Sequence, residues 1–171
     1  MKKNIALVGF MGSGKTTVSK LLAQHLGYQL VSTDALIVER EKTSIAQIFS
    51  VKGEQYFRDL EKNVVEQLSR REGLVIDCGG GIVLQQANID RLRSSGIIVY
   101  LKATVDVLHE RTKHSRERPL LNVEDPKLKI EELLAQRECL YQKADMTVDT
   151  SHKTAAEVVE EIGKRFEHGD S

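Results

Sequence analysis

The fold class predicted by this sequence is α/β, a parallel sheet covered by helices on both faces. Three observations carry that reading. Short apolar runs recur along the chain, and such runs suit strands buried on both faces. The segments between them repeat apolar residues every three or four positions, as an amphipathic helix does. A glycine-rich turn joins the first run to the first helical segment, the order of a strand–helix crossover unit.

Strands are expected at residues 5–8, 29–32, 74–76 and 97–101, with a weaker fifth at 146–148. The first helix follows from Val18, Leu21, Leu22 and Leu26, and the next long one from Val64, Val65 and Leu68. Leu92, Val105 to Leu108, Ile130 to Leu134 and Val158 to Ile162 continue the beat. Gly27, Gly73 and Gly96 stand where helices should end, which suits a left-handed terminal residue. Pro119 and Pro126 flank a polar stretch, so residues 113–125 read as a mobile loop. The last four residues, 168–171, should fray.

With 171 residues, no repeat and no linker, the chain should form one domain spanning 1–171. Lysine plus arginine equals aspartate plus glutamate, at 25 each. No overall field therefore recruits nucleic acid or an anionic membrane, and any anion site must be a local arrangement. Cys78 and Cys139 form no C-x-x-C pair and suggest no disulfide framework, so a reducing, cytoplasmic setting is expected. The apolar run behind Lys2 and Lys3 is broken by glycines and lacks a cleavage site, so it reads as a buried strand. No stretch has the length of a membrane span, and with no large apolar face evident a monomer is expected.

The strongest chemical signal lies at Gly9-Phe10-Met11-Gly12-Ser13-Gly14-Lys15-Thr16, a full match to G-x-x-x-x-G-K-[ST]. Glycines let consecutive N–H groups turn toward phosphate oxygens, and the following helix adds its positive end. Lys15 can reach the β- and γ-phosphates, and the Thr16 hydroxyl can ligate Mg2+. Gly12, Ser13, Gly14, Lys15, Thr16 and Thr17 form the expected ATP-binding stretch, which makes the domain a P-loop NTPase type. The Asn/Thr-Lys-x-Asp element of a guanine-specific GTPase is absent, and the short chain favours a small-molecule kinase.

Further elements follow in order: Ser32-Thr33-Asp34, Phe57-Arg58-Asp59-Leu60-Glu61, Gly79-Gly80-Gly81, Arg118-Pro119-Leu120-Leu121, and Arg137 with Leu140-Tyr141. Together they resemble the shikimate kinase family through nearly the whole chain. The resemblance implies a three-layer sandwich around a five-stranded sheet of order 2-3-1-4-5. It also implies transfer of a phosphoryl group from ATP to the 3-hydroxyl of shikimate, on the way to chorismate and the aromatic amino acids. Acceptor-binding helices are expected at about 34–61 and a lid at about 113–125.

Arg58 and Arg137 offer planar forks suited to a carboxylate; surface arginines are the ordinary alternative, and the resemblance selects these two. Glu61, one turn after Arg58, can orient its guanidinium, or form a plain surface pair. Asp34 can align the reacting hydroxyl, and can also cap the helix beginning at Ala35. The resemblance assigns Gly79, Gly80 and Gly81 to the shikimate pocket, where side chains would fill the space; a bland glycine turn is the other reading. It assigns Arg118 to the transferring phosphoryl group, ahead of its neighbour Arg116, and Arg111 to stacking on adenine. Lys15, Asp34 and Arg118 are thus the expected catalytic residues.

One departure stands out. The family often has Asp-x-Asp after the second strand, the first carboxylate helping to hold Mg2+ through water, and Ser32 occupies that position here. The third strand instead closes on Asp77, in the form of a Walker-B carboxylate. Asp77 is expected to supply the missing charge through water; the alternative is that it caps the glycine turn. Two rivals are weighed: a gluconate- or nucleotide-type kinase, which should lack the combined elements, and a binding protein without turnover, which should lack Lys15, Asp34 or Arg118.

Overall fold

The computed structural model describes residues 3–114 and 119–167. The expected lid arginine Arg118, its neighbour Arg116 and the tail at 168–171 lie outside the described residues. Five parallel strands form one sheet: β1 (Asn4–Val8), β2 (Gln29–Ser32), β3 (Leu74–Asp77), β4 (Gly96–Lys102) and β5 (Met146–Asp149). Their order is β2-β3-β1-β4-β5, as the family resemblance implies. The helices are α1 (Lys15–Leu26), α2 (Thr33–Glu41), α3 (Ile45–Leu68), α4 (Gln86–Ser95), α5 (Val105–Thr112), α6 (Pro126–Tyr141) and α7 (Ala155–Glu167).

The sheet is buried on both sides because side chains alternate across each strand. Ile5 and Leu7 of β1 and Val99 and Leu101 of β4 point toward α1 and α7, meeting Val18, Leu22, Val158 and Ile162. Ala6, Val8, Ile98 and Tyr100 point the other way, toward Ile37, Val64, Leu68 and Ile89. Each fully buried aliphatic side chain contributes about 1.5–3 kcal/mol of transfer free energy. Both faces need such residues, which is why the runs look continuously apolar in the sequence.

Neighbouring strands β1 and β3 send their connections to opposite sides of the sheet, one toward β2 and the other toward β4. A crevice opens outside the carboxyl ends at such a reversal. The register brings Leu7 and Ser32 level with Asp77 on its two sides, so the turns after β1, β2 and β3 meet there.

Of the three glycines expected at helix ends, Gly27 caps α1 with φ 63°. Gly73 has φ 68° but sits in the turn before β3, beyond the end of α3. Gly96 does end a helix, its N–H donating to Arg93 O as the C-cap of α4, but it is also the first residue of β4 and is extended, with φ 178°, rather than left-handed. Its requirement is space, since a Cβ there would lie 2.0 Å from the carbonyl oxygen of Asn4. Helix α3 is broken at Gly53, whose φ of 84° and ψ of 168° let the helix change direction. Among the described residues no helix is long and apolar enough to cross a membrane.

Candidate active site

The phosphate loop follows β1 directly. Gly12 and Gly14 have φ of 84° and 96°, and Gly14 is the N-terminal cap of α1. Space is also tight: a Cβ on Gly9 would lie 2.6 Å from Leu101 O, and one on Gly12 would lie 2.7 Å from Thr112 Cγ2. Lys15 Nζ donates to the carbonyls of Gly9 at 2.8 Å and Phe10 at 3.1 Å, which curls the ammonium over its own loop. The first turn of α1 carries no acidic residue of its own, so its N–H groups and positive end suit an incoming anion.

Thr16 donates its hydroxyl to Asp77 Oδ2 at 2.9 Å. The glycine turn that Asp77 was alternatively expected to cap is held by another residue: Thr33 Oγ1 accepts from Gly79 N–H at 2.9 Å. The second helix also chooses a different cap. Ser32 Oγ accepts from the Ala35 N–H at 3.3 Å, so Ser32 is the N-cap of α2 and Asp34 lies inside the first turn. Asp34 is therefore left with Oδ1 buried and without a hydrogen-bond partner among the described residues.

Asp34 sits against the glycine run and Arg58. A Cβ on Gly79 would lie 2.5 Å from Asp34 Oδ1, and one on Gly81 would lie 2.3 Å from Arg58 Nη1. Two of the three glycines thus make room for the protein's own charged side chains. Gly80 keeps more space, with Arg137 Nη1 and Tyr141 Oη both 4.0 Å from its Cβ position. Arg58 Nη1 donates to Glu61 Oε2 at 2.5 Å, and its outer edge pairs with exposed Glu54 at 3.1 Å. Glu61 is 1% exposed, so the pair is built into the interior rather than laid on the surface.

Burial shapes the electrostatics. It raises the Asp34 carboxyl, helped by the charge of Asp77 and opposed by Lys15 and Arg58. It also raises Asp77, against the Thr16 hydrogen bond and Lys15. The Glu61 carboxyl is pushed up to about 7 by burial, against the attraction of Arg58. Three carboxylates and three cations, Lys15, Arg58 and Arg137, therefore share one partly dehydrated space.

On the other side of the phosphate loop a cleft of about 240 Å³ lies between α1, Arg111 and the segment after β5. Arg111 is fixed in its wall, donating to Thr150 O at 2.8 Å and Gly12 O at 3.2 Å. Thr150 Oγ1 lies 3.1 Å from both Ser13 O and Lys102 O. Thr150 and Lys153, which also lines the cleft, belong to no motif of the sequence. Their signal was positional: they follow the carboxyl end of the last strand, where ligands of such sheets gather.

The family model for shikimate kinase matches residues 11–167. The chain belongs to the shikimate kinase family. It is accordingly an ATP-dependent kinase. Among curated members, the shikimate kinase of Caldanaerobacter subterraneus subsp. tengcongensis is 48% identical over 164 residues, covering 96% of each chain. That of Thermodesulfovibrio yellowstonii is 45% identical over 165 residues, covering 96% of this chain and 95% of the relative. The structure of the shikimate kinase from Acinetobacter baumannii in complex with shikimate superposes with a TM-score of 0.93 at 37% identity. That comparison covers 99% of this chain and 95% of the other.

Proposed function

We propose that this shikimate kinase family member moves the γ-phosphoryl of ATP to the 3-hydroxyl of shikimate, with Asp34 aligning that hydroxyl. One observation carries the assignment of Asp34: its buried Oδ1 makes no hydrogen bond among the described residues. A buried acceptor without a donor is costly, and an acceptor hydroxyl would supply the donor. The raised proton affinity of Asp34 also suits it to take the hydroxyl proton as the new P–O bond forms.

Arg58, oriented by Glu61, and Arg137 hold the shikimate carboxylate in this reading, with Gly79, Gly80 and Gly81 forming the floor of the pocket. Gly12, Ser13, Gly14, Thr16 and Thr17 cradle the phosphates, and Lys15 exchanges its loop carbonyls for phosphate oxygens. Arg111 lines the base cleft, and Arg118 covers the transferring group. Phosphoryl transfer depends mainly on such positioning and charge neutralisation.

The oxygens of Thr16 and Asp77, 2.9 Å apart beside the loop, fit a hard divalent cation. Among the described residues no group of three or more His, Cys, Asp or Glu side chains could hold a metal ion. In this reading Mg2+ arrives with the nucleotide and would be held by the Thr16 hydroxyl and, through water, by Asp77. Bound there, Mg2+ would neutralise charge on the β- and γ-phosphates.

ADP release, coupled to a spectrophotometric readout, should require shikimate and remain at background with gluconate or nucleoside monophosphates. Asp34→Asn should lower kcat by on the order of a hundredfold, the scale of a lost positioning contact. Turnover with another acceptor, or an undiminished Asp34→Asn enzyme, would overturn the reading.

A further inference from the structure

We infer that Tyr141 is a positioning residue for the acceptor pocket, its hydroxyl tying the glycine turn after β3 to α6 beside Arg137. The inference rests on the assignment of Arg137 to the shikimate carboxylate. Tyr141 Oη donates to Gly80 O at 2.7 Å. Arg137 Nη1 stands beside the same turn, both it and Tyr141 Oη lying 4.0 Å from the Cβ position of Gly80. One buried atom thus joins two parts of the pocket that come from separate elements.

The ring is held as firmly as the hydroxyl. Tyr141 is fully buried and stacks on Tyr100 of β4, with centroids 5.0 Å apart and planes at 14°. Tyr100 is anchored in turn, donating to Glu138 Oε2 at 2.7 Å. Glu138 Oε1 pairs with Lys102 at 3.2 Å. Burial raises the proton affinity of both phenols, so the direction of donation stays fixed. Arg137 and Tyr141 lie one helical turn apart on α6, so fixing the tyrosine fixes the base of the arginine. An arginine with a free stem would lose more side-chain freedom on binding a carboxylate, and this bracket reduces that loss.

The substitution Tyr141→Phe keeps the stacked ring and removes only the hydroxyl. Steady-state kinetics should show KM for shikimate raised about three- to tenfold, the worth of one hydrogen bond. KM for ATP should stay unchanged. Tyr100→Phe, which touches neither substrate site, should shift the same parameter in the same direction and by less. In an Arg137→Ala background the effect of Tyr141→Phe should vanish, because the two residues act as one unit. An unchanged KM for shikimate in Tyr141→Phe would overturn the inference. So would equal changes in both KM values, since a general loss of structure would affect both substrates. Arg137→Ala with normal shikimate affinity would instead sink the assignment of Arg137, and the positioning role with it.

Discussion

Asp77 shows how much a single side chain can depend on its neighbours. Its carboxylate is positioned by the last hydrogen-bonded step of β3, level with Ser32 on β2, and accepts from the nucleotide-loop threonine. Ser32 spends its oxygen on the start of α2. The two residues therefore have separate tasks, and only Asp77 is left to offer negative charge beside Thr16. Asp77→Asn keeps the shape and removes the charge. The Mg2+ concentration for half-maximal activity should rise about tenfold, matching about 1.4 kcal/mol of lost charge-assisted interaction. An unchanged requirement with normal turnover would return Asp77 to a purely structural role. Gly79 and Gly81 have no left-handed backbone to explain them, and what excludes other residues is the volume taken by Asp34 and Arg58.

Among the elements, α2 links local stability to the site. Its first turn carries Asp34, and its N-terminus is closed by Ser32 Oγ on the Ala35 N–H. Losing that cap in Ser32→Ala should cost about 1 kcal/mol. Thermal unfolding should then fall by about 2–4 °C for a chain of this size. Ser32→Asn, an equally good cap that adds no charge opposite Asp77, should keep the wild-type midpoint. If the two variants melted alike, the cap would not be what holds this turn. The break at Gly53 gives α3 a related role, since it lets one continuous segment run past α2 and still deliver Arg58 and Glu61 inward.

For the molecule as a whole, the site opposes the stability of the fold. Asp34, Glu61 and Asp77 are all held where ionisation is disfavoured by burial. Glu61 moves from an ordinary 4.5 to about 7 on folding, so the folded state binds its proton more tightly than the unfolded chain. The resulting stability is fully present below about pH 4.5 and is lost as pH rises to about 7. Melting measured across that window should show wild type declining relative to Glu61→Gln, which has no proton to lose. Parallel pH profiles for the two proteins would show that Glu61 does not titrate there. Elsewhere the surface ion pairs lower carboxylates such as Asp106 and Glu110, so only the difference between the variants isolates Glu61.

The layered fold, the phosphate loop and the identity of most charged groups around it were legible along the chain. Each of these is a local pattern: apolar runs for strands buried twice, a fixed glycine spacing, an arginine one turn before a glutamate. Tertiary structure decided which partner each group took. Ser32 rather than Asp34 caps α2, and Thr33 rather than Asp77 holds the glycine turn. Gly96 is selected by the backbone of Asn4, and Tyr141 reaches Gly80 across 61 residues of sequence. Such choices are settled by distances between segments far apart in the chain, and no spacing along the sequence records those distances.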